Sequence, residues 1–228
     1  MTLDSIPVQA VWLAGCGLPV GGLLARLSLR LPAGEPLFAG GARKGGRAVP
    51  LRYPLLAAAG AAVGLWAGSS QPSAVAGVLT ALLGWQLLLI AVVDGEHFWL
   101  PDQLTFPLMA TGLIAAAVLD RPTLAGSIAG AAAGFGVLWL LARVYRHVRG
   151  REGLGGGDPF LLAAGGAWTG WIGVPSILLW AALGGLSLVG ARLLAGGRVS
   201  GSDRLPFGVP LALGVWLTWL LGPLGSAG

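Results

Sequence analysis

The chain is poor in charge, cysteine and histidine. Only 10% of its 228 residues are Asp, Glu, Lys or Arg, with one cysteine and two histidines. The lone Cys16 excludes an internal disulfide framework and a four-cysteine zinc site. It lies inside the first apolar stretch, where a small buried hydrophobe is its ordinary role. What is abundant is apolar: 55% of the residues are hydrophobic and the mean hydropathy is +0.80. A soluble domain of this length cannot hide that much apolar surface, so the bilayer is its solvent. The forty glycines fit the same environment, because in lipid small residues let helices approach and exchange dispersion contacts. Gly126, Gly130 and Gly134 carry that spacing and read as a packing stripe.

A formal charge of +5 raises nucleic acid as a partner, and the placement of the basic residues argues against it. Arg26, Arg30, Arg43, Lys44, Arg47 and Arg52 flank the first polar gap. Arg143, Arg146, Arg149 and Arg151 flank the fifth, and Arg192, Arg198 and Arg204 the seventh. Apart from Arg121, every basic residue falls at gaps of one parity, the positive-inside pattern of a multispanning protein. No cleavable leader is expected, since Asp4 and no basic cluster precede the first apolar run.

Apolar runs of about the length a bilayer demands lie near 8–28, 53–68, 74–93, 104–119, 123–142, 159–172, 174–191 and 207–222. Pro54, Pro72, Pro101, Pro122, Pro159, Pro175 and Pro206 punctuate them. The expectation is one all-α membrane domain over 1–228 with about eight transmembrane helices and no internal repeat. The basic gap 30–52 is then a cytoplasmic loop, gaps 94–103, 143–158 and 192–206 lie on the same side, and both termini lie outside.

Of nine acidic residues, Asp94, Glu96, Asp102 and Asp158 all fall at helix ends on that cytoplasmic side. Ionisable groups at a membrane boundary are costly and mark functional sites. Asp94 directly follows the run WQLLLIAVV, at a helix C-terminus where the macrodipole disfavours an anion; a solvated stop to the helix is the plain alternative. Asp158 precedes Pro159, which suits an N-cap, but Gly155, Gly156 and Gly157 before it bring bare backbone to the boundary, where an extended peptide can approach. Asp102 after Pro101 also suits an N-cap, and Glu96 and His97 suit a polar loop. The arginines around His147 suit anchoring to anionic lipid.

Three ordered blocks carry a resemblance. They are DGEHFWLPDQLT (94–105), GLGGGDPFLLAAGGAWTGW (153–171) with its GxGD core at 155–158, and LPFGVPLALG (205–214). Together they resemble the type IV prepilin peptidases, polytopic aspartic peptidases that mature type IV pilins and type II secretion pseudopilins. The resemblance implies that Asp94 and Asp158 are the catalytic pair. Sharing a proton and a water, one takes a proton as water attacks the scissile carbonyl and the other donates to the oxyanion; two such groups titrate as a pair, with a bell-shaped rate profile. Glu96, Asp102 and Gly155 to Gly157 would face the substrate, a precursor with a basic leader and a hydrophobic helix, cut at the cytoplasmic face of the bacterial inner membrane. The acidic rim would attract the leader's Lys or Arg.

The sequence departs from that family in two places. Many members carry two CxxC pairs in the loop after the first helix, a region linked to N-methylation with S-adenosylmethionine. Here the loop 30–52 is short and has no cysteine, Ala25 stands where Asn is usual, and Ala57 and Ala58 where Glu is usual. The resemblance therefore implies neither zinc nor S-adenosylmethionine as cofactor. Pro159 and Phe160 stand where Phe and Lys are common. A scaffold or assembly factor of the same fold without catalysis is the alternative; a transporter or a presenilin-type protease fits less well, since no acid lies mid-helix and no Tyr-Asp motif is present.

Overall fold

In hydrocarbon every backbone amide needs a partner within the chain, and a helix supplies one locally. The computed structural model describes residues 7–32, 49–150, 155–195 and 206–225, and they form helices with no strand among them. The helices are α1 (Val8–Arg30), α2 (Val49–Ser70), α3 (Ala74–His97), α4 (Asp102–Leu119), α5 (Leu124–Arg149), α6 (Asp158–Leu194) and α7 (Gly208–Leu221). Five of them, α1, α3, α4, α5 and α6, are long and apolar enough to cross a membrane. The chain is a polytopic, all-α membrane protein. Most of the expected loop 30–52 lies outside the described residues, and α2 starts at Val49, so Pro54 falls in its second turn instead of opening it.

Seven helical elements are present among the described residues, and one of them joins two of the expected runs. The runs expected at 159–172 and 174–191 belong to α6, which is broken at Gly170 (φ 73, ψ 175). The break is a reversal. A Cβ built on Gly165 would lie 3.1 Å from Ile177 Cδ1 and 2.5 Å from Val215 Cγ2, whereas twelve residues along an unbroken helix span about 18 Å. The arms 158–169 and 171–194 therefore fold back on each other. No L side chain adopts the Gly170 conformation without strain, so the sequence can turn here only on glycine.

Packing divides the chain into two units, Met1–Leu89 and Ile90–Gly228. In the first, α1 and α2 are antiparallel with glycine at the crossing: Gly17 faces Gly60, Gly21 faces Leu56, and Gly64 and Gly68 face Leu13 and Ala10, all backbone to backbone. The Gln9 amide closes the seam by donating to the carbonyls of Gly68 (2.9 Å) and Gln71 (2.8 Å), and the Trp85 indole donates to Gly60 O at 2.9 Å.

In the second unit Gly130 meets the backbone of Gly166 and Gly170, and Gly134 that of Leu162, so α5 runs antiparallel to the first arm of α6. Two glycines of the expected stripe pack there. The third, Gly126, has its N–H capped by Thr123 Oγ1 instead. The fully buried Trp168 donates to Leu108 O at 2.9 Å, and Phe160 stacks edge-on to Phe106 at 5.8 Å. Leu100 lies against Gly157 and Gly112 against Ala167 and Trp168, so α4 runs parallel to that arm. Gly214 lies on Ile177 and Ala181 while Gly184 faces Pro210, so α7 is antiparallel to the second arm. One end of this unit thus gathers the C-termini of α3 and α5 and the N-termini of α4, α6 and α7. Asp94, Asp102 and Asp158 share it with Arg143, Arg146, Arg149 and Arg192.

Replacing Gly170 by Ala tests the reversal. A Cβ there takes a forbidden backbone and comes 3.1 Å from Pro122 Cβ. The expected result is a loss of about 1–3 kcal/mol, seen as a lower melting temperature in detergent.

Candidate active site

The first N–H groups of a helix have no partner within it, and α7 has no side-chain cap of its own at Phe207. Asp94 supplies the acceptor from the last turns of α3. Its Oδ2 accepts from Val209 N–H at 3.1 Å, across 115 positions of sequence, and the Gly208 N–H is directed to the same carboxylate. An anion that the end of α3 disfavours is thereby placed at the favourable end of another helix. Asp94 is only 4% exposed, which rules out the plain reading of a solvated helix stop.

Asp158 is 3% exposed. It is the first residue of α6, and the cap position belongs to Gly157, with no side-chain cap hydrogen bond. Its Oδ2 turns back to accept from Gly155 N–H at 2.9 Å, while its own N–H donates to Gly155 O at 3.2 Å. The expected N-cap role is therefore corrected: the carboxylate is held by the glycine turn before the helix. Asp102 needs the same correction, because Pro101 occupies the cap of α4 and no side chain bonds there.

Asp158 lies within the electrostatic reach of Asp94. Leu100, itself buried, sits where their supports meet. A Cβ on Gly157 would come 2.5 Å from Leu100 Cβ, and one on Gly208 would come 2.9 Å from Leu100 Cδ1 and 2.7 Å from Asp94 Oδ2. The glycine turn and the start of α7 are thus both pressed against one leucine, which fixes how the two aspartates are presented. Glycine is required at 157 and 208 by these contacts. Gly156, in contrast, has open space where its Cβ would be.

Of the expected substrate-facing residues, Glu96 and Asp102 are exposed at this same end, as are Gly155 and Gly156, while Gly157 is half-buried. Phe98 and Trp99 are 48% exposed beside them. Phe160, at the position where the resembled family often has Lys, lies between the rings of Phe106 and Phe135, 5.1 Å from the latter. Sequence reasoning missed Leu100, Gly208 and Val209 as parts of the site. The signal was present in the 94–105 and 205–214 blocks, but nothing in the spacing says that one block hydrogen-bonds to the other. No group of three or more metal-binding side chains occurs among the described residues.

Two carboxylates buried together cannot both ionise easily, and one proton shared between them leaves one group to accept and one to donate. Fold and site together define a polytopic membrane protein with two buried aspartates at one end of its helices. Residues 81–190 match the type IV leader peptidase family. A prepilin leader peptidase/N-methyltransferase of Dickeya chrysanthemi is 36% identical over 221 residues, covering 88% of this chain and 75% of that protein. Proteins of the same name are 35% identical in Aeromonas salmonicida strain A449, over 77% of this chain and 60% of the relative, and 37% identical in Burkholderia pseudomallei strain 1026b, over 75% and 55%. The chain belongs to the type IV leader peptidase family. It spans only about 60% of the length of the Aeromonas relative. No solved structure matches it.

Alanine at the three glycines separates the contacts. Gly157→Ala and Gly208→Ala are expected to lose about 1–3 kcal/mol through overpacking against Leu100 and Asp94. Gly156→Ala is expected to stay within about 0.5 kcal/mol of the parent. Thermal unfolding in detergent reads the difference.

Proposed function

We propose that this protein is an aspartic endopeptidase that removes the basic leader from type IV pilin-like or type II secretion pseudopilin precursors. The observation that carries this reading is the pair Asp94 and Asp158, two side chains nearly removed from solvent at one end of the helices, with their supports pressed against the same Leu100. Membership of the family and the names of the relatives point to the same chemistry. A purely architectural role leaves two buried acids side by side without a purpose, so the scaffold alternative is disfavoured.

In the proposed reaction the ionised aspartate takes a proton from water as its oxygen attacks the scissile carbonyl, and the protonated aspartate donates to the developing oxyanion. Collapse of the tetrahedral adduct breaks the C–N bond, the departing amine takes a proton from the pair, and the original protonation is restored. The exposed backbone of Gly156 offers hydrogen bonds to an extended peptide beside Asp158, while that of Gly155 is engaged by Asp158 itself. Glu96 and Asp102 form an acidic rim for the leader's Lys or Arg, and membrane lipid surrounds the remainder.

The site is proposed to face the cytoplasm from the bacterial inner membrane, with both termini outside. Arg143, Arg146 and Arg149 at the end of α5 and Arg192 in α6 support that orientation, since basic residues concentrate on the cytoplasmic side. Neither zinc nor S-adenosylmethionine takes part in this reading, which rests on the single cysteine and on Ala25, Ala57 and Ala58.

Co-expression with a pilin-like precursor followed by mass spectrometry tests the proposal. The parent is expected to yield a leaderless product without an added methyl group. Asp94→Asn and Asp158→Asn are each expected to lower the cleavage rate by about 100-fold or more, the scale of a positioned acid or base. Unchanged cleavage by either variant overturns the assignment, and a methylated product overturns the cofactor reading. Glu96→Lys is expected to reduce kcat/KM several-fold at low salt, with the deficit shrinking as ionic strength rises.

A further inference from the structure

The reaction assigns work to the carboxylates and none to the start of α7, although that is where Asp94 is tethered. The Val209 N–H is one of the orphan donors of a helix N-terminus, and it is spent on Asp94 Oδ2 at 3.1 Å. No side chain of its own turn competes for it, because α7 carries no side-chain cap. A Cβ at Gly208 would intrude to 2.7 Å from the same oxygen, so the close approach of α7 to the carboxylate is built into the chain on both sides of that bond. Gly95, next to Asp94, also packs toward Val209, with its Cβ position 3.5 Å from Val209 Cγ2.

We infer that the backbone amide of Val209 is a positioning group for catalysis, holding Oδ2 of Asp94 so that Oδ1 is left to exchange the proton with water. The inference rests on the peptidase reading above and adds to it a donor on the last helix. The start of α7 thereby delivers the Val209 N–H, beside that of Gly208, to a carboxylate carried by α3. Two substitutions isolate the donor from the side chain. Val209→Pro removes the N–H, and proline is tolerated in the first turn of a helix because that N–H has no helical partner. Val209→Ala removes only the apolar side chain and keeps the donor.

The test uses the full chain in detergent with a purified precursor. V209P is expected to fall at least ten-fold below V209A in kcat with KM unchanged, the split that marks an interaction made in the transition state rather than in substrate binding. Melting temperatures give a second readout that does not depend on activity. V209P should melt below V209A when Asp94 is present, and that difference should shrink when both are placed in an Asp94→Ala background, the coupling that a double-mutant cycle reads for a direct bond. Equal kcat for V209P and V209A, or a melting difference of the same size with and without Asp94, overturns the inference. Loss of cleavage in Asp94→Asn together with equal kcat for the two Val209 variants leaves the peptidase standing and removes only the positioning role. Retained cleavage in Asp94→Asn removes the peptidase reading itself.

Discussion

Two carboxylates buried within reach of each other's field impose the constraint that the rest of the site answers. Removing such groups from water costs several kcal/mol each unless donors and protons replace the solvent. The chain answers with main-chain donors. The start of α7 serves Asp94, and the glycine turn before α6 serves Asp158. Leu100 presses on both supports, the glycine turn at Gly157 and the start of α7 at Gly208.

Holding the site requires helices that converge at one end and do not slide. Close backbone packing supplies that stiffness: α5 and the first arm of α6 meet through Gly130, Gly134 and Gly166, and the second arm meets α7 through Gly214. The reversal at Gly170 lets one continuous element deliver Asp158 at its start and then return beside α7, whose first turn binds Asp94. The far turn of α6 and the aspartate end are therefore coupled through α7. The polarity of the packing follows from the sequence of short connections, and the site follows from the polarity.

Much of this is legible in the residues. Apolar runs of membrane length give helices, the scarcity of acids draws attention to Asp94 and Asp158, and the blocks around them point to the family. Burial decides between the plain and the chemical readings of these acids, because a solvated stop and a sequestered carboxylate look identical in a linear pattern. Capping escapes the linear pattern for the same reason. Asp followed or preceded by Pro suits an N-cap by sequence, yet Asp158 bonds backward to Gly155 and Asp102 makes no cap bond. The reversal inside α6 is legible as two runs, but only the positive φ of Gly170 locates the turn. The tie between Asp94 and Val209 spans 115 positions, and no local spacing encodes a contact of that range.

Cleavage by this mechanism requires Asp94 and Asp158 to work as one unit, and the most direct measurement is the rate of precursor cleavage by the double variant Asp94→Asn/Asp158→Asn beside the two single variants. Members of a catalytic unit are strongly non-additive, because removing the first already forfeits what the second contributes. The predicted result is a double variant no slower than the slower single variant. Independent multiplication of the two losses, or cleavage by the double variant at the parent rate, contradicts it.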